Sequence, residues 1–298
     1  MTRPFSRTVS LFLLITTLSS WILALGFYLS GGQWNTPNAF LIALLYMFGP
    51  TLGALITLKS SGMTDWKERL GLRWQWNWWL LLAMALPLLF SGLTFAFSLL
   101  FPGTSFAPDL AGLFERYAKT MTPEQVEAFK ASLQKLPVSP LIATLIQTIL
   151  AGATINAFFA LGEEIGWRGL LLHEWKHLGF WKCSLLTGVI WGLWHLPLIL
   201  LGHNYPDHPL PGIFMMTLLC MAFAPLLNYI RLKSGSVLAP AIFHGTFNAT
   251  AGLSLLYIKG GNDLAVGITG AAGILALVLM NAGIFLYNRF CSKETIVL

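Results

Sequence analysis

The chain has 298 residues, of which 56% are hydrophobic and only 10% carry a charge, and its mean hydropathy is strongly positive. A soluble domain cannot bury that much apolar surface, so the composition excludes a soluble enzyme and predicts an integral membrane protein. The net charge of +6 does not indicate a nucleic-acid partner, because the basic residues lie between apolar spans, where the positive-inside rule accounts for them.

Apolar segments of the roughly 20 residues that a membrane-spanning helix requires recur along the chain. Eight such segments cover residues 10–29, 39–58, 78–100, 140–162, 180–201, 211–232, 236–257 and 265–288. The first is too long for a signal peptide and has no convincing cleavage site, so we interpret it as a retained span. The sequence therefore predicts an all-α, polytopic transmembrane helix bundle that forms a single integral-membrane domain, residues 1–298.

The basic residues predict the orientation of these spans. With the N-terminus inside, every lysine and arginine lies in an inner segment except Arg116, Lys119, Lys130, Lys135 and Lys259. All of these except Lys259 lie in one long loop, where the positive-inside rule carries little weight. Both termini are therefore predicted to be cytoplasmic, in a multi-pass protein of the plasma or inner membrane.

Two loops carry patterns of their own. Residues 59–77 mix tryptophans with basic residues, which is typical of a segment lying along the cytoplasmic interface or of an ordinary aromatic belt. The outer loop, residues 101–139, contains a capping-box pattern at Thr122 to Gln125 with proline at the first helical position. It predicts a short amphipathic helix to about Lys135, which we interpret as a connecting helix and not as a gate.

The fourth span ends in Leu-Gly-Glu-Glu-Ile-Gly-Trp-Arg-Gly, residues 161–169. Ionisable residues are costly in hydrocarbon and usually serve a function there. Glu164 and Arg168 are four residues apart and share a helix face, so they are predicted to form an ion pair. Glu163 is rotated by about 100° around the helix axis from Glu164, so it does not share the face of Arg168. It is therefore the carboxylate that we predict to have a functional role. Two glycines four apart in the same stretch predict close helix packing.

The fifth span carries one histidine in its interior, His195. Trp191 precedes it by four residues and can pack on the same helix face. Pro197 has no amide hydrogen and crowds the carbonyl group of Leu193, so the helix is predicted to bend beside His195.

The seventh span carries His244 and Asn248, which are four residues apart and share a face. Both can donate hydrogen bonds and both are costly to leave unpaired in lipid. Hydrogen bonding between helices is the structural alternative to a functional site here. The remaining histidines are interpreted as solvated, namely His173, His177, His203 and His208.

The fourth, fifth and seventh spans each carry polar residues, and together these residues include the groups that a hydrolytic site needs if the three spans converge. A carboxylate and a histidine can activate water, and a histidine and an asparagine can donate to a developing oxyanion. The chain has no serine in a nucleophile-elbow pattern and no His-Glu-x-x-His motif. Its cysteines, Cys183, Cys220 and Cys291, have no disulfide or zinc spacing. Activated water is therefore favoured over a covalent nucleophile.

At these positions the sequence resembles the CAAX-protease and bacteriocin-processing family, also called the ABI family, whose members are intramembrane endopeptidases related to type II CAAX prenyl endopeptidases. The motifs Glu-Glu-x-x-x-Arg, Phe-x-x-x-His and His-x-x-x-Asn are matched in order by Glu163, Glu164 and Arg168, by Trp191 and His195, and by His244 and Asn248. Trp191 replaces the usual phenylalanine, a change expected to alter packing and not chemistry. The resemblance covers about residues 140–257.

The resemblance implies hydrolysis of a peptide bond in a membrane-associated protein or peptide, at or within the bilayer and near its cytoplasmic face. Prenylated CAAX proteins are the substrates of the eukaryotic relatives. The roles carried over are a general base at Glu163 acting with His195, oxyanion donors at His244 and Asn248, and an assisting carboxylate at Glu164 that Arg168 fixes. No cofactor is favoured, and zinc or another divalent metal held by Glu163, His195 and His244 is the alternative.

Two other functions remain open from the sequence. A transporter or proton-coupled carrier would use the same buried glutamate and histidine groups as an ion relay, although no pair of matching half-sequences is visible. A non-catalytic membrane protein of the bacteriocin-immunity type would keep the residues without using them for cleavage.

Overall fold

A computed structural model of the chain describes residues 4–34, 36–118, 121–292 and 296. The described residues form an almost entirely helical bundle with one two-stranded antiparallel sheet, so the predicted all-α architecture is confirmed. Three basic residues that entered the orientation prediction, Arg3, Lys119 and Lys293, lie outside the described residues.

The elements follow one another along the chain with short connections. The helices are α1 (Arg7–Leu29), α2 (Pro37–Ser60), α3 (Trp66–Arg69), α4 (Trp79–Ser98), α5 (Ala111–Tyr117), α6 (Pro123–Gln134), α7 (Pro140–Leu178), α8 (Phe180–Trp194), α9 (Leu196–Leu200), α10 (Pro209–Ser234), α11 (Leu238–Ala249), α12 (Ala251–Leu255) and α13 (Ala271–Phe290). The strands are β1 (Ser105–Phe106) and β2 (Ile258–Lys259).

Within the described ranges, six helices are long and apolar enough to cross a membrane, and these are α1, α2, α4, α7, α10 and α13. The predicted spans 180–201 and 236–257 are each divided into two shorter helices, α8 with α9 and α11 with α12. The first division falls at His195, beside Pro197, where one helix ends at Trp194 and the next begins at Leu196. The count of eight spans therefore stays a prediction.

The outer loop contains the helix that its capping box predicts. The Thr122 hydroxyl accepts a hydrogen bond from the backbone of Gln125, and the Gln125 side chain accepts one from the backbone of Thr122. Helix α6 begins at Pro123 and ends at Gln134. The Arg116 guanidinium connects this loop to β2 by donating a hydrogen bond to the carbonyl oxygen of Ile258 at 2.5 Å.

Glycines bring α7 into direct contact with its neighbours on two sides. A Cβ atom on Gly166 would lie 2.8 Å from the carbonyl oxygen of Pro50 in α2, and one on Gly162 would lie 2.9 Å from that of Met47. The predicted close packing at these glycines is therefore confirmed. On the other side, a Cβ atom on Gly245 of α11 would lie 2.6 Å from the carbonyl oxygen of Gly152 in α7.

The approach of α11 to α7 provides a test of this packing. Gly245→Ala places a methyl group against the α7 backbone, which cannot move aside as a flexible side chain can. We expect the free energy of unfolding to fall by about 1–3 kcal/mol, the usual cost of overpacking a core. Thermal unfolding in detergent measures it. Gly252→Ala in α12 is the matched control, because its Cβ would have no atom within 4 Å; equal stability of the two variants would contradict the packing account.

Candidate active site

Glu163 and Glu164 lie where the regular part of α7 gives way to a π-helical turn, residues Ile165–Leu171. Such turns are rare and frequently occur at functional sites. Arg168 lies within this turn, and it is buried together with both carboxylates. Three ionisable side chains are thus removed from solvent within six residues, in a helix long enough to span a bilayer.

The Glu164 carboxylate is the hydrogen-bond acceptor at the centre of the buried cluster. Its Oε1 atom accepts from the Arg168 guanidinium at 3.1 Å and from Nδ1 of His244 at 2.9 Å. The predicted Glu164–Arg168 pair therefore forms, and the structure adds His244 from α11 as a third member. A buried ion pair offsets the desolvation cost of its two charges only when further hydrogen bonds engage their remaining polar atoms. The hydrogen bond from His244 is one of these.

Glu163 receives its hydrogen bond from Trp191 of α8. The indole Nε1–H group donates to Glu163 Oε2 at 2.6 Å, and both side chains are buried. The face of the same indole lies 4.3 Å from the Arg168 guanidinium, within the range of a cation–π contact. Trp191 thus makes a hydrogen bond to the Glu163 carboxylate that a phenylalanine at this position could not make, and the expectation that it alters packing and not chemistry stays a prediction.

His195 has a defined tautomer because of the break between α8 and α9. Its Nδ1 atom lies 2.8 Å from the carbonyl oxygen of Trp191, and a carbonyl group can only accept, so Nδ1 carries the proton. The Nε2 lone pair is left available. The break itself is held by the carbonyl group of Trp194, which accepts hydrogen bonds from the Tyr46 hydroxyl at 2.5 Å and from the Trp21 indole at 3.2 Å.

One cavity of about 360 Å³ brings the predicted site residues together. Its wall includes Glu163, His195, His244 and Asn248, which come from α7, the α8–α9 break and α11. Glu164 does not line the cavity; it lies behind His244 and contacts it through Nδ1. Asn248 is exposed, in contrast to the buried carboxylates. The catalytic roles of all these residues stay predictions.

His203, interpreted from the sequence as a solvated loop histidine, is partly exposed and also lines the cavity. Its ring packs edge to face on Trp34 at a centroid distance of 5.1 Å. Burial lowers the pKa of His203 to about 4, because the charged imidazolium loses its hydration there. No motif signalled this position, since only the folding of the 201–208 loop over the bundle brings it to the cavity.

Glu163, His195 and His244 are the candidate metal ligands that the sequence indicates. Within the part of the chain that the structure describes, no group of three or more His, Cys, Asp or Glu side chains could hold a metal ion. One Glu163 oxygen is engaged by Trp191, and His244 directs Nδ1 to Glu164. The metal-free reaction stays a prediction, as does the zinc alternative at Glu163, His195 and His244.

Comparison with known proteins identifies two similarities. The family described as Type II CAAX prenyl endopeptidase Rce1-like matches residues 132–250, which contain all three motifs. CAAX prenyl protease 2 of Methanococcus maripaludis is 30% identical over 135 residues, which are 43% of this chain and 46% of that protein. The chain thus covers less than half of the length of this curated relative.

Trp191 offers a test of the Glu163 geometry. Trp191→Phe keeps the ring and removes the donor to Glu163, and a hydrogen bond to a charged group contributes about 1.5–3 kcal/mol. We expect kcat for the peptide cleavage that the family resemblance implies to fall by about tenfold or more, with little change in KM, because the carboxylate loses its orientation and not its substrate contacts. Trp78→Phe on the exposed surface of the bundle is the control, and an unchanged kcat in Trp191→Phe would show that the hydrogen bond has no role.

Proposed function

The family match and the curated relative support the assignment of this chain to the CAAX-protease family, and on that premise we propose that it is an intramembrane endopeptidase that hydrolyses a peptide bond with activated water. The observation that carries the proposal is the meeting of Glu163, His195 and His244 on the wall of one cavity inside a bundle of membrane spans. Its substrate is a membrane-associated protein or peptide, with lipidated CAAX-type chains as one class.

Glu163 and His195 are the groups that activate water. Trp191 holds one Glu163 oxygen, which leaves Oε1 to accept a proton from a water molecule in the cavity. The Nε2 lone pair of His195 provides a second acceptor for the same water, because Nδ1–H is committed to the Trp191 carbonyl group. A general base within hydrogen-bond reach contributes roughly 10²- to 10⁴-fold to a hydrolytic rate.

His244 and Asn248 are the groups that stabilise the oxyanion. Because Nδ1–H of His244 donates to Glu164, its Nε2 atom can donate to an oxyanion only in the imidazolium form. The Glu164 carboxylate stabilises that positive charge at 2.9 Å. Asn248 lies one helical turn further along α11, and its amide group supplies a second, neutral donor.

In the proposed reaction, the proton that water loses passes through Glu163 to the leaving amine. The water oxygen attacks the scissile carbonyl carbon while its proton passes to Glu163, and the carbonyl oxygen becomes the oxyanion between His244 and Asn248. The tetrahedral intermediate then collapses as the C–N bond breaks. The protonated Glu163 gives its proton to the departing amine, which restores the carboxylate.

The proposed cellular setting follows from the sequence. We propose a multi-pass protein of the plasma or inner membrane with both termini in the cytoplasm, because the basic residues concentrate on that side. The partners are the lipid bilayer and a membrane-associated polypeptide, and no nucleic acid is expected.

The direct test is cleavage of a quenched, lipidated peptide by the purified protein in detergent. Glu163→Gln removes the base and keeps the shape of the side chain, so we expect kcat to fall by about 10³-fold, within the range for a general base. Glu127→Gln in α6 is the control, because that carboxylate lies on the exposed outer loop. A chelator is expected to leave the wild-type rate unchanged.

Two outcomes would contradict this proposal. Equal cleavage by wild type and Glu163→Gln would remove Glu163 from the reaction, and loss of activity in chelator with recovery in zinc would replace the water mechanism by a metal mechanism. Solute flux into proteoliposomes that depends on Glu163, without any peptide cleavage, would instead favour the carrier.

A further inference from the structure

A second cavity lies on the outside of the bundle, between α4, α10 and α13, and we call it the outer groove. Its volume is about 540 Å³, within the roughly 300–1,000 Å³ that is usual for ligand sites. Every residue of its wall is hydrophobic apart from Gly283. Among the described residues, none lines both the outer groove and the cavity of the candidate active site.

The outer groove has the length and the exposure of a site for one acyl chain. Along α4 it runs from Trp79 to Leu93, which is about 21 Å at a rise of 1.5 Å per residue. One leaflet of the hydrocarbon core of a bilayer is about 15 Å thick. Leu89 and Leu279 on its wall are about half exposed, so the groove is open toward the outside of the bundle.

Aromatic side chains mark one end of the outer groove. Helix α4 begins there at Trp79, while α10 and α13 end there shortly after Tyr229 and Tyr287. The rings of Trp79 and Tyr229 pack edge to face at a centroid distance of 5.8 Å. Tryptophan and tyrosine are enriched at the level of the lipid headgroups, so we expect this end of the groove at that level.

Basic side chains extend two walls of the groove beyond this aromatic end. Lys233 follows Tyr229 by four residues and Arg289 follows Leu286 by three, so each continues the groove-lining face of its helix by about one turn. The Lys233 ammonium lies 5.8 Å from the centroid of the Tyr229 ring and donates to the Ser292 hydroxyl at 3.1 Å. Arg289 is exposed.

The segments that build this end carry positive charge only. They contain no aspartate or glutamate, and the structure describes them throughout: residues 71–79, 226–238 and 279–292. Besides Lys233 and Arg289 they contain Arg73 and Arg231. The Arg231 guanidinium lies against Gly71, and the Arg73 carbonyl group accepts a hydrogen bond from a side chain just beyond α10 at 2.5 Å. A ligand that fits this site has an apolar chain with a negative charge at one end.

We propose that the outer groove binds an anionic phospholipid, with one acyl chain along α4 and the phosphate group at Lys233 and Arg289. Charge complementarity selects this occupant, because a zwitterionic headgroup has no net negative charge to balance the basic residues. Basic pockets between membrane-spanning helices are typical sites for anionic headgroups. The site lies apart from the catalytic groups, so the proposal does not depend on the proposed protease function.

Competition between two lipids tests the headgroup. The purified protein in detergent receives equal amounts of phosphatidylglycerol and phosphatidylcholine with identical acyl chains, and native mass spectrometry counts the lipid molecules that stay bound. We expect phosphatidylglycerol to be retained in clear preference to phosphatidylcholine. Lys233→Gln and Arg289→Gln are each expected to lower the affinity for phosphatidylglycerol by about fivefold, the effect of one basic side chain near an anionic lipid surface. Lys59→Gln at the exposed end of α2 is the control with the same change of charge.

Two glycines test the groove itself. A Cβ atom on Gly283 or on Gly92 would have no atom within 4 Å, but only Gly283 lines the groove. We expect Gly283→Leu to lose the bound phosphatidylglycerol, because its side chain occupies the place of the acyl chain, and Gly92→Leu on α4 to keep it. Thermal unfolding in the same detergent checks that the variants are folded.

Three results would overturn the proposal. Equal retention of the two lipids would remove the preference for an anionic headgroup, and phosphatidylglycerol binding that survives Gly283→Leu would remove the groove as its site. Competition by sn-glycerol 1-phosphate, the headgroup without acyl chains, would indicate a site for free phosphate in place of a lipid. A dimer that Gly283→Leu dissociates, with no lipid bound in the wild type, would assign the groove to a second copy of the chain.

Discussion

The structure depends on one buried ion pair, Glu164 with Arg168, placed in a helix that spans the bilayer. Neither charge can remain in hydrocarbon alone, since each carries a desolvation cost of several kcal/mol. Their pairing at 3.1 Å lowers that cost, and the bond from His244 to the same carboxylate oxygen adds a third partner. The pair thereby fixes the position of α11 relative to α7, and with it the wall of the cavity.

The backbone is arranged so that this pairing is possible. Gly152 and Gly245 let α7 and α11 approach until a methyl group would no longer fit between them, which brings His244 within hydrogen-bond distance of Glu164. Trp191 then connects the pair to the reacting groups. Its indole lies over the Arg168 guanidinium, its N–H group holds Glu163, and its carbonyl group fixes the tautomer of His195. One residue thus orients both groups that are proposed to activate water.

Local patterns in the sequence were sufficient for several of these features. The four-residue spacing of Glu164 and Arg168 predicted their pair, and Pro197 predicted an irregular helix beside His195, where the structure divides the span into two helices. Both effects act within one helical turn. The same holds for the capping box of α6. The tertiary features were not accessible in this way. The bond from Trp191 to Glu163 joins residues 28 apart, and His203 reaches the cavity only through the fold of its loop. The contacts of segment 59–77 with Gly169 and Arg231 are also long-range, and no periodicity shows them.

The central claim is that the buried pair serves catalysis by holding His244, and the double variant Glu164→Met with Arg168→Met tests it most directly. Replacing both members of a buried ion pair by apolar residues is often neutral or stabilising, whereas removing one member costs about 3–5 kcal/mol. The measurement is the rate of peptide cleavage by the folded double variant, with thermal unfolding on the same sample and Glu164→Met alone for comparison. The account predicts that the double variant recovers stability relative to the single variant but does not recover cleavage, because His244 has lost its Nδ1 partner. Wild-type cleavage by a stable double variant would contradict it.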